Sequence, residues 1–389
     1  MINNNVKDII RILNDNGYVA YVVGGAVRNM LLGISVYDYD IATNATPAQI
    51  QSLSFDISPS GIEHGSVIIN YKNECFEVTT FRIETGYSDY RHPGQTTYSL
   101  SVKEDAVRRD FTINAIYYDP ISDRILDFYN GKEDLENRIL RTIGPAYQRF
   151  EEDALRIIRG LRFASTLSLR IEEETKRAIY GLYKNLGHIS IERITDELSK
   201  LLLGDNVSEV MLELIDVFNF IFGIDLSHEN IKLLSKVKPT IEIRLAVLLR
   251  NVEEASLILK RLRFTNKVIS EFEKYSLSLS KEVNTFNDSF YIINMVGLNK
   301  MENYIKLLND INYPKEKIDV IYEYYSFVIE NDIPLSINKL KINGDDLLSL
   351  GFIGKDIKNV LAVVHENVLF ENLRNDKKVL IDFVMKKYL

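Results

Sequence analysis

Hydrophobic positions along the chain change their period once near the start and again about a third of the way in. Val6, Ile9, Ile10 and Leu13 recur as one helical face, and Gly17 follows as a helix stop. From Tyr18 to about Asp127 the pattern becomes short β-branched runs separated by turn residues. Residues 18–23 and 36–42 read as strands flanking a brief helix that carries Val27, Met30 and Leu31. Residues 67–71 and 75–82 read as a hairpin connected through 72–74. In its second strand Phe76 and Val78 face one way while Cys75, Glu77 and Thr79 face the other. Residues 108–115 lead from a helix into a strand at 116–118. After Gly131 the helical period takes over, with helices expected over 150–169, 191–204, 210–222, 244–250 and 257–267. A helix–turn–helix piece then runs from Gly344 through Gly351 and Gly354 into 357–369.

At 389 residues the chain exceeds what one hydrophobic core supports, so several domains are expected, the first ending near Gly144-Pro145. A formal net charge of −8 argues against a protein that coats nucleic acid without specificity, and leaves room for one shaped nucleic acid in a locally basic groove. The single cysteine, Cys75, excludes an internal disulfide framework and a Cys-based zinc site; it is expected to be a small buried hydrophobe, with no disulfide-linked partner. No apolar run reaches membrane-spanning length and the opening M-I-N-N-N-V-K-D is no signal peptide. The expectation is a cytoplasmic protein with no membrane partner.

Candidate chemistry concentrates in residues 24–40, G-G-A-V-R-N-M-L-L-G-I-S-V-Y-D-Y-D. On a strand Asp38 and Asp40 project to the same face, where two carboxylates repel unless a cation lies between them. Hard divalent cations prefer oxygen ligands, so the pair reads as a Mg²⁺ clamp, with the Gly24-Gly25 turn offering backbone N–H groups to phosphate. Glu77 is a candidate third carboxylate on a neighbouring strand. Residues 84–97, E-T-G-Y-S-D-Y-R-H-P-G-Q-T-T, form a long polar segment without periodicity. Its Tyr87, Asp89, Tyr90, Arg91 and His92 mark a working loop and not a linker. Arg108 and Arg109 are candidates for neutralising a polyphosphate. On the helix expected over 150–169, Ala154, Ile157, Ile158, Leu161 and Ala164 share the inner face. Arg156, Arg159 and Arg162 fall on the other half, with Asp153 at its edge.

These motifs together resemble the bacterial class II tRNA nucleotidyltransferases, the CCA-adding enzymes and the related poly(A) polymerases. The matching pieces are G-G-A-V-R, D-Y-D-I-A-T, Y-S-D-Y-R-H-P-G, R-R-D-F-T-I-N-A, E-D-A-L-R-I-I-R-G-L-R-F-A and I-E-R-I-T-D-E-L-S-K-L-L-L-G, in order over nearly the full length. The resemblance implies an α+β fold: a polymerase-β-like nucleotidyltransferase head with a mixed, mostly antiparallel sheet, followed by an all-α neck, body and tail. The segments would be 1–144, 145–205, 206–270 and 271–389. It implies template-independent addition of CCA to tRNA from CTP and ATP with release of pyrophosphate. It gives Asp38 and Asp40 the Mg²⁺ ions and Gly25, Arg28 and Arg109 the nucleotide. It gives Asp153 and Arg156 the incoming base, and Arg159 and Arg162 the rest of the pocket.

Ala26 and Asn29 stand where the family commonly has Cys and Asp, and the family's Gly-Pro-x-Ile-Gly turn is replaced by Gly354-Lys355-Asp356-Ile357-Lys358. The alternatives within the family are an A-adding or CC-adding specialist and a poly(A) polymerase; outside it stands a non-catalytic RNA-binding relative. The whole loop at 84–97 favours full CCA addition, because CC-only relatives are shortened there. The acidic chain lacks the basic extension of a poly(A) polymerase. Intact Asp38, Asp40, Arg109, Asp153 and Arg156 stand against a non-catalytic relative, and the absence of a His-Asp dipeptide stands against an appended HD phosphohydrolase.

Overall fold

The structure is a computed structural model that describes residues 2–58, 65–87, 90 and 93–389. Two compact units partition it: one runs to Leu226 and takes in Arg261–Arg263, the other comprises Ser227–Lys260 and Phe264–Leu389.

The first unit opens with α1 (Asn4–Asp15), whose Asn3 side chain accepts the Asn5 N–H and whose face of Val6, Ile9, Ile10 and Leu13 is fully buried. Burying four such aliphatic side chains contributes about 1.5–3 kcal/mol each. A seven-stranded mixed sheet follows. Its strands are β1 (Ala20–Val23), β2 (Asp40–Thr43), β3 (Asp56–Ser58), β4 (Ser66–Tyr71), β5 (Glu74–Thr80), β8 (Ile116–Asp119) and β9 (Arg124–Asp127), in the order β3-β4-β5-β2-β1-β8-β9. Every neighbouring pair is antiparallel except β2 and β5. The hairpin between β4 and β5 is tighter than expected: Lys72 and Asn73 both take positive φ, 48° and 67°, and close a two-residue turn of the kind that suits strand twist.

Three expectations for this region need correction. The strand expected from Val36 begins only at Asp40, because its partner β1 ends at Val23, opposite Asp40, and the chain turns out of the sheet at Gly24. Asp38 therefore lies in the irregular segment before the strand. The strand expected to continue to Arg82 stops at Thr80. After the buried Phe81 the chain enters β6 (Arg82–Thr85), which pairs with β7 (Gln95–Tyr98) in a separate two-stranded sheet, so both ends of the expected loop are regular. Cys75 is exposed, since it points away from the Phe76–Val78 face, and its thiol donates to Asn70 Oδ1 at 3.2 Å.

Helix α2 (Gly25–Leu31) leaves β1, α3 (Pro47–Ser52) follows β2, and α4 (Val102–Val107) delivers Arg108 and Arg109 just past its end. A core of Val23, Ala42, Phe81, Ala106, Ala115, Tyr117 and Ile143 ties the sheet to α4. Beyond α5 (Gly131–Glu136) the helical half begins with α6 (Ala146–Glu152), α7 (Leu155–Leu167), α8 (Glu173–Leu182) and α9 (Ile191–Leu201).

In the second unit the described residues form helices only, the longest being Asn266–Ser280, Lys315–Glu330 and Lys355–Phe370. Its C-terminal core gathers Leu340, Ile342, Leu347, Val360, Val364, Val368, Leu380 and Val384. Capping boxes at Thr285/Asp288 and Asn343/Asp346 fix two helix starts. The helices expected over 210–222 and 257–267 are each broken, at Leu214 and after Arg261, where Arg263 takes φ 60°.

Candidate functional site

Sheet register assembles the acidic end of the site. Asp40, the first residue of β2, lies opposite Val23 on one side and opposite Glu77 of β5 on the other. The residue after Val23 is Gly24, at φ 73°, where only glycine turns without strain. A Cβ placed on Gly24 would lie 3.5 Å from Asp40 Oδ2 and 3.8 Å from Arg109 Nη1, so glycine turn, carboxylate and guanidinium meet at one point. Burial, and then the neighbouring Glu77 and Asp38 carboxylates, raise the Asp40 carboxyl to about 6 against the pull of Arg109. Asp38 is exposed and contributes its charge from just outside the strand.

This arrangement fits a hard cation. The donors are carboxylate oxygens, and their mutual repulsion is what a divalent ion relieves. Among the described residues no group of three or more His, Cys, Asp or Glu side chains is placed to hold a metal ion, so the clamp would rest on the Asp38 and Asp40 carboxylates.

Arg109 is held from behind. Its guanidinium donates to Asp105 Oδ2 (Nη2, 3.1 Å) and to Tyr117 Oη (Nε, 3.0 Å), while Tyr117 Oη donates to the same Asp105 oxygen at 2.6 Å. Arg108 Nε donates to the other Asp105 oxygen at 2.8 Å. Asp105 is fully buried, yet these partners overcome its desolvation and hold its carboxyl below the usual range.

Arg28 on α2 is fixed by two asparagines. Nε and Nη2 both donate to Asn29 Oδ1, at 3.2 and 3.0 Å, and Nη1 donates to Asn114 Oδ1 at 2.6 Å. The amide oxygen of Asn29 thus orients Arg28 without a negative charge. Asn114 passes the network on through Asp110 Oδ1 (3.1 Å) to Arg159, whose Nε and Nη2 donate to Asp110 Oδ2 at 3.0 and 2.8 Å. Burial opposes the charge on Asp110, but Arg159, Asn114 and the Phe111 N–H bring its carboxyl down to about 2. Its contribution to stability is therefore complete above the ordinary carboxylate range and is lost as pH falls through about 2. Arg162 pairs with buried Glu197 at 2.9 Å. Arg28, Arg159 and Arg162 all lie over the ring of Phe163, at 5.0, 5.7 and 4.1 Å from its centre.

The single helix expected over 150–169 is two helices. Asp153 sits between them with extended backbone (φ −141°, ψ 102°), and its Oδ1 accepts the Leu155 N–H at 3.0 Å, which starts the second helix. Arg156 is buried, where an outward face was expected, because it bridges the break: it donates to Arg149 O (3.1 Å), Glu152 Oε2 (2.9 Å) and Arg108 O (2.9 Å). Three of its five N–H donors are used in these bonds. Burial, the largest influence, raises the Asp153 carboxyl despite Arg156. Asp153 and Arg156 line a cavity of about 350 Å³ together with Arg109, Asp110 and Arg159.

The same cavity brings in the candidate Arg108 and Glu84 and Tyr87 of the expected working loop, together with Arg82 and Arg193, which sequence reasoning did not place in a site. Arg82 Nε and Tyr87 Oη both donate to Glu84, at 2.6 Å each. A sequence signal existed for Arg193, inside the I-E-R-I-T-D motif; Arg82 carried none. Of the expected site residues, Gly24, Asp40, Glu77 and Arg109 come together at the sheet end. Gly25 lies 3.5 Å, by its would-be Cβ, from Arg28 Nη2, and Arg28, Arg159 and Arg162 cluster on Phe163. Asp89, Arg91 and His92 lie outside the described residues.

A poly A polymerase head domain model matches residues 20–141, an RNA- and SrmB-binding site of polymerase A matches 168–218, and a tRNA nucleotidyltransferase domain 2 matches 241–384. The CCA-adding enzyme of Staphylococcus haemolyticus is 35% identical over 98% of this chain and 97% of its own length. That of Enterococcus faecalis is 33% identical over 97% and 95%. Among solved structures, the Bacillus stearothermophilus CCA-adding enzyme in complex with CTP superposes with a TM-score of 0.80 at 29% identity, covering 99% of this chain and 97% of that one. The Thermotoga maritima CCA-adding enzyme complexed with tRNA shares the fold, with a TM-score of 0.70 at 20% identity, over 98% of this chain and 95% of that one.

Proposed function

Because the chain belongs to the class II tRNA nucleotidyltransferases, the family of the CCA-adding enzymes, we propose that it adds CCA to the 3′ end of tRNA from CTP and ATP. The observation that carries this reading is the cavity itself: phosphate-directed arginines from the sheet half and the Asp153–Arg156 link from the helical half line one nucleotide-sized space. The family's nucleotidyl transfer is metal-dependent.

In this reading the RNA 3′-oxygen forms a bond to the α-phosphorus of the nucleotide as the bond to pyrophosphate breaks. Asp38 and Asp40, with Glu77 beside them, would hold Mg²⁺, which when bound would activate the hydroxyl and neutralise the charge of the leaving group. Gly24 leaves the space between Asp40 and Arg109 free of side chain, and the Gly24–Gly25 backbone turns toward phosphate. Arg109, anchored by Asp105 and Tyr117, and Arg28, anchored by Asn29 and Asn114, present preorganised positive charge, which is the main requirement of phosphoryl transfer. Asp153 accepts from the exocyclic amine of cytosine or adenine, and Arg156 donates to the adjacent ring nitrogen through a donor that its structural bonds leave over. Uracil and guanine offer a carbonyl beside a ring N–H, so both contacts are mismatched. Arg159 and Arg162 complete the pocket wall. Residues 145–205 act as the base-reading neck, 206–270 as the body and 271–389 as the tRNA-binding tail.

The test is extension of a tRNA lacking its 3′ end with each nucleotide separately: CTP is incorporated, ATP is incorporated on tRNA ending in CC, and UTP and GTP are refused. Acceptance of all four would overturn the reading. Arg156→Ala is expected to lower the CTP-to-UTP ratio of kcat/KM by about tenfold to a hundredfold, the worth of a paired base contact. A uniform loss with every nucleotide would leave Arg156 only its structural bonds. Asn29→Ala is expected to raise the nucleotide KM about tenfold by freeing Arg28, while Asn29→Asp stays within about threefold. Equal KM values for the two variants would contradict the anchoring role of the amide oxygen.

A further inference from the structure

An unbroken helix through Asp153 would give the Ala154 N–H an acceptor one turn back. The break at Asp153 removes that acceptor, and a buried N–H must find another. It finds the carbonyl of Tyr90, at 3.1 Å, in the segment between β6 and β7. Tyr90 is itself held in an unusual state: its φ is 60°, a left-handed conformation that a bulky residue keeps only when its surroundings impose it. Its ring stacks face to face on His188, at the end of the short 3₁₀ turn Tyr183–His188, with centroids 4.6 Å apart and planes 10° from parallel.

We propose that Tyr90 and His188 form a latch that fixes the position of the Asp153–Ala154 link, making both of them positioning residues for base selection. The stack holds the Tyr90 backbone in place, the Tyr90 carbonyl holds Ala154, and Ala154 is bonded directly to the residue proposed to read the exocyclic amine. His188 acts through this chain of contacts and not on the nucleotide. The role in selection rests on the proposed CCA-adding function; the latch itself does not.

The experiment pairs hydrogen exchange with kinetics on the full-length protein. In His188→Ala, exchange of the amides in residues 153–156 is expected to speed up about threefold to tenfold, the worth of one aromatic pair, and the CTP-to-UTP ratio of kcat/KM to fall by a similar factor. His188→Phe, which keeps a flat ring for the stack, is expected to restore both. Unchanged exchange at 153–156 in His188→Ala overturns the latch whatever the activity. Faster exchange with an unchanged nucleotide ratio overturns its part in base selection. A wild-type protein that extends no RNA sinks the CCA-adding reading, while the exchange measurement still decides the latch.

Discussion

Asp40→Ala is expected to lower nucleotide addition by about 10³-fold or more while leaving tRNA affinity within about threefold. Asp40 is the point where the register of three strands converges, with Val23 on one side and Glu77 on the other, and a Cβ on Gly24 would lie 3.5 Å from its Oδ2. No neighbouring side chain can replace it, because Asp38 sits before the strand and Glu77 starts from the next one. Partial burial and the adjacent acids disfavour its charge and raise the carboxyl to about 6. The substitution should therefore leave stability unchanged or slightly higher. Turnover within tenfold of wild type, measured by tRNA extension at saturating CTP, would remove Asp40 from the proposed metal site.

Asp105→Asn should cost about 3–5 kcal/mol of stability, the usual result of neutralising one side of a buried charge cluster. Asp105 is fully buried and accepts from Arg108, Arg109 and Tyr117. The amide keeps the shape but offers one acceptor oxygen where two are needed, and its NH₂ group points at arginines. Arg109 then loses its anchor, so nucleotide addition should fall together with stability. Thermal unfolding is the appropriate measurement, read as the transition of the first compact unit. Wild-type stability in this variant would mean that Tyr117 and water suffice to hold the two arginines.

Of the acidic edge, Glu77 was legible because strand alternation is local and register sets it opposite Asp40, whereas the same argument fails for Asp38, which precedes the strand. Asn29 was legible only as a departure. Its meaning lay in Arg28, whose Nε and Nη2 both donate to the one amide oxygen, where an aspartate would offer two. The break at Asp153 was hidden, because the apolar positions from Ala154 onward keep helical spacing and Phe150 fits the same series. What interrupts the helix is the Asp153 side chain taking the Leu155 N–H and a carbonyl sixty-odd residues earlier taking the next free donor. Arg156 was misplaced for the same reason: spacing put it outside, but the break gives it carbonyls to bridge and draws it in. Arg82 joins the cavity by tertiary contact alone, because the strand expected over 75–82 stops at Thr80 and Arg82 opens the ribbon paired with Gln95–Tyr98. For the described residues, no helix is long and apolar enough to cross a membrane.

The most direct test of the proposed function is the length of product made on a tRNA lacking its 3′ end when CTP and ATP are supplied together. CCA addition predicts extension by three nucleotides and then arrest, with CTP alone stopping one nucleotide short. Run-on adenylation, or arrest after CC with both nucleotides present, would contradict it.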